Sequence, residues 1–425
     1  MRVPIASLGP HMDGQRVRIC GRVQRVRHKR KIAFVVVRDG SFDDVQLTIK
    51  DPELLKLAEK LDRGYVICAE GIVKASKIAK KGYEMIPEKI EVLSKSEVPP
   101  FDPFVDVDHT ILAKRLDRRV LDLRNPRNRA ILVLKGLVTR YMREYLYSQG
   151  FIEVHTPKVT ITATEGGAEV FPVKRFDREA YLVMSPQLYK QMVMATGIER
   201  FLEVGPCRRA EKHHTKKHLN EYFGLDIEMA FATDEDAMKL LEDSIRYAAE
   251  KIFEDHERVW RVLNEKFEPP EKFDRITYDE AREILKKKGF EIPRGEDFGA
   301  DEERALWNEI NKPFFITKRP RSARPFYVMR LDEDPKYTKG FDLIYRVELA
   351  SGAQREHRYE KLVENIKDKG LPLESFRYYL EAFRYGMPPH AGRGLGLERL
   401  MMGLFGIDEV RECVLFPRTV DRLTP

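Results

Sequence analysis

The sequence is poor in cysteine: Cys20, Cys68, Cys207 and Cys413 are scattered through 425 residues, with no CxxC pair and no histidine at ligand spacing. That pattern signals neither a zinc site nor a disulfide framework, and it makes a reducing, cytoplasmic setting the default. No apolar run approaches the roughly 18 residues needed to span a bilayer. The opening stretch MRVPIASLGPHMDG also lacks a signal-peptide core, so no membrane partner is expected. Internal repeats and low-complexity tracts are missing. The glycine-rich segment near the C-terminus does not match the phosphate-cradling GxxxxGK[ST] loop.

What the chain does have is charge. It carries 76 basic and 69 acidic residues, a net +7, so the placement of the excess matters more than its size. Its length predicts two or three domains, each able to bury a core.

The basic excess gathers at residues 16–31, RVRICGRVQRVRHKRK, which hold no acidic residue. Five strand-like runs follow one another here, over 16–26, 32–38, 45–49, 65–73 and 83–93, with a short helical pattern, DPELLKLAEKLDRG, between the third and fourth. That is the element order of an OB barrel. Arg22, Arg25 and Arg27 would form a cationic groove, with Phe34 and Phe42 as stacking platforms for unpaired bases. Two readings stay open for those rings, since phenylalanine at a strand position also suits a barrel core. Residues 1–96 are assigned to this domain, and the proline-rich SEVPPFDPFVDVDH marks a linker over 97–126.

From residue 127 the pattern is mixed α+β. A long amphipathic helix over 127–149 ends at Gly150 and leads into a short strand closed by Pro157. Paired glycines in TEGGAE, with Glu165, suggest a loop over a site. SPQLYKQ opens a helix on which Gln187 and Lys190 share a face. Val204–Met229 reads as a strand, a loop rich in donors (Lys212, His213, His214, Lys216, Lys217, His218), and a return strand. Arg209 and Glu211 are expected on one face of the first strand, and Tyr222, Leu225 and Ile227 on the apolar side of the second. Residues 234–325 look like a helical insertion or cap. Asp342 and Glu348 stand in an apolar run at even spacing, a pattern that can hold a divalent metal beside phosphates. A strand is expected over 325–330, a break at Ser351 and Gly352, and a helix carrying Arg355.

Taken in order, these segments resemble a class II aminoacyl-tRNA synthetase, and within that group the aspartyl-tRNA synthetases of the archaeal and eukaryotic type. Motif 1 resembles the helix ending at Gly150 with its following strand. Motif 2 resembles RRAEKHHTKKHLNEY, and motif 3 resembles GLGLERL. The resemblance implies an antiparallel sheet flanked by helices, and a homodimer formed through motif 1. It implies activation of aspartate by ATP with Mg2+, then transfer to tRNA(Asp), with tRNA(Asn) open as a second acceptor.

By motif position, Arg209, Glu348 and Arg399 are the expected catalytic residues. Glu165, Gln187, Lys190, Arg209, Asp226, Ser351 and Arg355 would surround aspartate, with Lys190 and Arg355 on its side-chain carboxylate. Arg209, Glu211, His218, Leu219, Tyr222, Glu348 and Arg399 would hold ATP. Glu348, Ser351 and Asp342 would hold magnesium. The basic OB residues, with His213 and His214, would meet tRNA. Four departures from the family pattern stand out: Arg208, Lys217 and Arg393, and a strand one residue short between Asp342 and Glu348. In a regular strand that deletion would turn one carboxylate away. An asparaginyl enzyme, or a paralogue that binds tRNA without charging it, would share most of these features.

Overall fold

The computed structural model describes residues 2–103, 111–161, 170–212 and 215–425. The chain forms two compact units, Met1–Pro126 and Arg127–Pro425.

The first unit is built on β1 (Arg16–Lys29), β2 (Ile32–Arg38), β3 (Asp44–Ile49), β4 (Val66–Ala75) and β5 (Tyr83–Ser94), with α1 (Pro52–Ala58) between β3 and β4. The strands close into a barrel in the order β1-β2-β3-β5-β4. Alternation fills it: Ala33, Val35 and Val37 are fully buried, while Phe34, Val36 and Arg38 point outward. A register shift between Val23 and Arg25 bends β1, so its first half pairs with β4 and its second with β2. Helix α1 starts at Asp51, whose carboxylate accepts from the Glu53 and Leu54 amides. One expectation fails here. Cys20 and Cys68 sit directly opposite each other on β1 and β4 and form a disulfide. Spacing along the chain carries no trace of a cross-strand pair 48 residues apart. Within the stretch assigned to a linker lie two short helices, α2 (Leu112–Asp117) and α3 (Arg119–Asp122), joined by the buried carboxylate of Asp122, which takes hydrogen bonds from Arg115 and Arg119.

The second unit opens with α4 (Pro126–Ser148), β6 (Ile152–Glu153), β7 (Val159–Thr160), β8 (Pro172–Arg175), β9 (Arg178–Leu182) and α5 (Gln187–Met194). Then come β10 (Arg200–Arg208), β11 (Glu221–Ala230), α6 (Asp234–Asp255), α7 (Glu257–Leu263), β12 (Asp274–Thr277), α8 (Tyr278–Lys287), α9 (Ala300–Ile310) and β13 (Phe314–Thr317). The remainder is β14 (Gly340–Tyr345), β15 (Val347–Gln354), α10 (Tyr359–Asp368), α11 (Arg377–Arg384), β16 (His390–Gly396) and α12 (Leu397–Phe405). Eight strands make one sheet, ordered β12-β13-β14-β15-β16-β11-β10-β6. Its central pairs are antiparallel, and the end pairs β12–β13 and β10–β6 are parallel. Helices α4, α6 and α12 cover one face with an apolar core that includes Ile131, Leu134, Leu241, Ile245, Leu400 and Met401.

Several local expectations are corrected. Residues 234–325 are not a helical cap, because β12 and β13 extend the main sheet at its edge. Ser351 and Gly352 do not break a strand: they lie within β15, which runs to Gln354. Residues 325–330 form turns with isolated bridges to Arg355 and Thr338, and Arg355 ends the strand pairing well before α10 begins. Strand β10 stops at Arg208, so Arg209 and Glu211 lie beyond it.

The glycines of β16 have a packing reason. A Cβ on Gly392 would collide with the buried carboxylate of Glu228, whereas one on Gly394 would meet an Asp226 oxygen at 3.1 Å. Gly392→Ala is therefore expected to lower unfolding stability by about 1–3 kcal/mol, and Gly394→Ala by less. Urea midpoints of the two variants check this, and the reverse order would contradict it.

Candidate active site

A cavity of about 300 Å³ opens over the middle of the sheet, lined from β11 by Tyr222 and Asp226, from β15 by Glu348 and Ser351, and from α12 by Arg399. Ser185 and Gln187 reach it from the start of α5, Arg209, Glu211, Lys217, His218 and Leu219 from the connection between β10 and β11, and Arg355 from beyond β15. Most of the residues implied by the three motifs thus share one cavity. Tyr222 takes the face of β11 that carries Asp226, where it lines the cavity and only borders the apolar core into which Leu225 and Ile227 point. Its hydroxyl is held well above its usual pKa by burial. Cys207 also lines the cavity, but burial pushes its thiol up to about 12 and keeps it from acting as a thiolate.

Beneath the cavity floor lies a buried charge cluster. Lys190 is fully buried, and its Nζ donates to Asp226 Oδ1 (2.9 Å) and to the Arg393 carbonyl (3.1 Å), with Glu228 Oε2 at 3.5 Å. Arg355 grips Glu228 from the other side, through Nε at 2.8 Å and Nη2 at 3.3 Å. Burial alone would raise the pKa of Glu228, yet Arg355 and Lys190 outweigh it and hold the carboxyl below its ordinary value. Lys190 does not itself line the cavity; it lies one layer down and contacts Asp226, which does. Glu228 carried no assigned role in the sequence, although its spacing of two from Asp226 places it on the same strand face. Gln187 is buried, and its Nε2 finds no hydrogen-bond partner among the described residues.

At the α12 end of the cavity, Arg399 donates to the carbonyls of Lys217 (3.1 Å) and Glu348 (3.2 Å). His218 is half-buried, and desolvation, with the nearby Arg399 and Lys217 charges, lowers its pKa to about 4. It therefore meets a ligand as neutral imidazole. Lys217 pairs with Glu303 of α9 at 2.8 Å. The Glu303 carboxyl is raised first by burial and then by Glu348. The basic departure at Arg208 has a simple partner, Glu221 across the hairpin at 3.0 Å.

The single strand expected to carry Asp342 and Glu348 is a hairpin: Asp342 lies on β14 and Glu348 on β15, joined at Arg346, so their spacing along the chain does not set their faces. Pairing runs Asp342 to Ser351 and Leu343 to Ala350, then slips so that Ile344 meets Glu348. Leu349 is the extra residue. The slip returns Glu348 to the face of Ser351, and both line the cavity. Asp342 shares that face but is buried and engaged: Arg324 bonds both its oxygens, Ser351 donates to it, and Arg319 lies at 3.0 Å. These guanidinium groups outweigh burial and hold its carboxyl below its usual value. Among the described residues no three His, Cys, Asp or Glu side chains cluster as metal ligands. Glu165, His213 and His214 lie outside the described residues. In the barrel, Arg27 lies over the outward-facing Phe34 ring at 5.0 Å, which settles that ring's alternatives against the core. Arg22 donates to the Gly64 carbonyl, and Arg25 is exposed.

Comparison with known proteins fits this geometry. Residues 112–420 match the family described as tRNA synthetases class II (D, K and N). The chain belongs to that family. Residues 17–93 of this synthetase match the OB-fold nucleic acid binding domain. It is 48% identical over 426 residues to the aspartate-tRNA(Asp/Asn) ligase of Methanocaldococcus jannaschii, covering 99% of this chain and 97% of that one. It is 47% identical to the aspartate-tRNA(Asp) ligase of Pyrococcus furiosus, covering 97% of both. Among solved structures, asparaginyl-tRNA synthetase from Pyrococcus horikoshii, complexed with asparaginyl-adenylate, superposes over 100% of both chains with a TM-score of 0.93 at 35% identity.

Behind the charge cluster, His390 is fully buried between the Pro388 carbonyl and Gln191. Desolvation lowers its pKa to about 4, against an ordinary 6.5. The unfolded chain takes up a proton near 6.5 that the native synthetase refuses until about 4, so stability is full above that window and falls as pH drops through it. His390→Gln is expected to lose less stability than the parent between the two ends of the window. Equal losses in urea titrations would contradict this.

Proposed function

We propose that this synthetase activates L-aspartate with ATP and transfers it to tRNA(Asp). The observation that carries the reading is full-length likeness, at nearly half identity, to proteins named aspartate-tRNA ligases. The asparaginyl reading draws on the close superposition with an asparaginyl enzyme. Against it stand Arg355 at the cavity wall and Lys190 beneath it: once Asp226 turns to the substrate ammonium, their two charges face Glu228 alone and favour a second carboxylate over a neutral amide.

In this reading the aspartate α-carboxylate attacks the α-phosphate of ATP, pyrophosphate leaves, and the acyl group later passes to the terminal ribose of tRNA. Arg209 steadies the α-carboxylate and α-phosphate as a planar, bidentate donor. Arg399 meets the terminal phosphate, and Tyr222 with Glu211, His218 and Leu219 seats the nucleotide. Arg355 pairs with the aspartate side chain at the cavity wall. Lys190 adds its charge from below, exchanging its bond to Asp226 as that carboxylate turns to the substrate ammonium, beside Gln187 and Glu165. Rate comes from positioning and charge stabilisation, with no covalent enzyme intermediate.

Magnesium fits part of the expected donor set. Glu348 and the Ser351 hydroxyl are hard oxygen donors facing the cavity, whereas the Asp342 carboxylate faces Arg319 and Arg324 and supports them only through Ser351. When bound, the ion would neutralise developing charge on the phosphates. The barrel residues Arg22, Arg25, Arg27 and Phe34 suit anticodon bases, and His213 and His214 the acceptor end. Exposed Val133 (37%), Tyr147 (48%) and Ile152 (54%) on α4 and β6 give an apolar surface for a homodimer. No helix among the described residues is long and apolar enough to cross a membrane.

Pyrophosphate exchange with each amino acid tests the reading: aspartate should support it and asparagine should not. Lys190→Met should abolish aspartate-dependent exchange, because it strands Asp226 without its hydrogen-bonded cation, at a cost of about 3–5 kcal/mol, and leaves Glu228 to Arg355 alone. Wild-type rates in that variant would refute the role. Charging of purified tRNA(Asp) and tRNA(Asn) then decides whether the second acceptor is used.

A further inference from the structure

Arg393 is fully buried near the middle of β16, opposite Ile227 on β11 and Gly352 on β15. Its neighbours Gly392 and Gly394 face the carboxylates of Glu228 and Asp226, so strand alternation turns Arg393 to the other side of the sheet. There it stands between Ala391 and Leu395, both members of the apolar core. Nη1 donates to the Leu225 carbonyl at 2.7 Å, but Nε and Nη2 have no hydrogen-bond partner among the described residues. Burial lowers its pKa to about 10, opposed by Asp226, so it is charged at neutral pH.

A guanidinium in such a place is costly unless an opposite charge offsets it. The buried cluster supplies too few. Lys190, Arg355 and Arg393 are three cations, and Asp226 and Glu228 are two anions. Aspartate brings one more negative charge than asparagine and would bring the count to balance; asparagine would leave it positive. Arg393 is also tied to the cluster through its backbone, whose carbonyl accepts from Lys190 Nζ at 3.1 Å.

We infer that Arg393 is a specificity-determining positioning residue: acting through the sheet, it leaves the amino-acid site one positive charge in excess, so that the site is completed by aspartate rather than asparagine. The inference rests on the reading of the cavity as an amino-acid-activating site.

Its test is Arg393→Met, with Arg393→Lys beside it, assayed by pyrophosphate exchange with aspartate and with asparagine and by thermal unfolding. Removing the charge should cut the aspartate-over-asparagine ratio of kcat/KM on the order of tenfold, the size expected for one unit charge acting at a short distance through protein. The loss should fall on the KM for aspartate. Arg393→Met should melt no lower than the parent, because a methionine suits this core better than an unpaired cation. Arg393→Lys should keep the preference. An unchanged ratio, an equal fall for both amino acids, a markedly lower melting temperature of Arg393→Met, or loss of preference in Arg393→Lys would each overturn the inference. Failure of the parent protein to activate aspartate would overturn it together with the proposed function, whereas a parent that prefers aspartate with an unmoved variant overturns the inference alone.

Discussion

The ammonium of Lys190, held between Asp226 and Glu228, is the contact on which the catalytic unit depends. It is fully buried, and its partners, the Asp226 and Glu228 carboxylates of β11 and the carbonyl of Arg393, are buried with it, Asp226 alone reaching the cavity. A charge so placed is tolerable only if every partner is fixed. Helix α5 must therefore press against β11, β16 must approach closely enough that glycine alone fits at 392, and Arg355 must close the far side of Glu228. Function and fold share one set of bonds here: the groups that make the centre costly are those that would recognise a charged substrate.

A second dependence runs from the inserted segment to the Arg399 end of the cavity. Strands β12 and β13 extend the sheet, and α9 carries Glu303 to Lys217 and into the neighbourhood of Glu348. Arg319 and Arg324, which follow β13, hold Asp342 and through it Ser351. The insertion is thus part of the wall that orders the carboxylates at this end of the cavity.

Much of this was legible in the sequence. The barrel follows from its strand order and alternation, and the three motifs mark the cavity through Arg209, His218 and Arg399. What escaped did so for physical reasons. The Cys20–Cys68 pair depends on barrel register, which chain spacing does not encode. Tyr222 was put with Leu225 and Ile227 because apolar character was weighed above the period of two. β12 and β13 were hidden because strands of four residues have little pattern of their own. Asp342 looked free for metal because its guanidinium partners lie 18 and 23 residues earlier, in a stretch without periodicity. The bulge at Leu349 could have been anticipated, since Glu348 and Ser351 stand three apart and share a strand face only with an extra residue between them.

The central claim, that the buried cations make this a site for a carboxylate side chain, is most directly tested by calorimetric binding of two non-hydrolysable adenylate analogues that differ only in carrying an aspartyl or an asparaginyl group. The account predicts tighter binding of the aspartyl analogue by roughly an order of magnitude or more. Equal affinities, or a preference for the asparaginyl analogue, would contradict it.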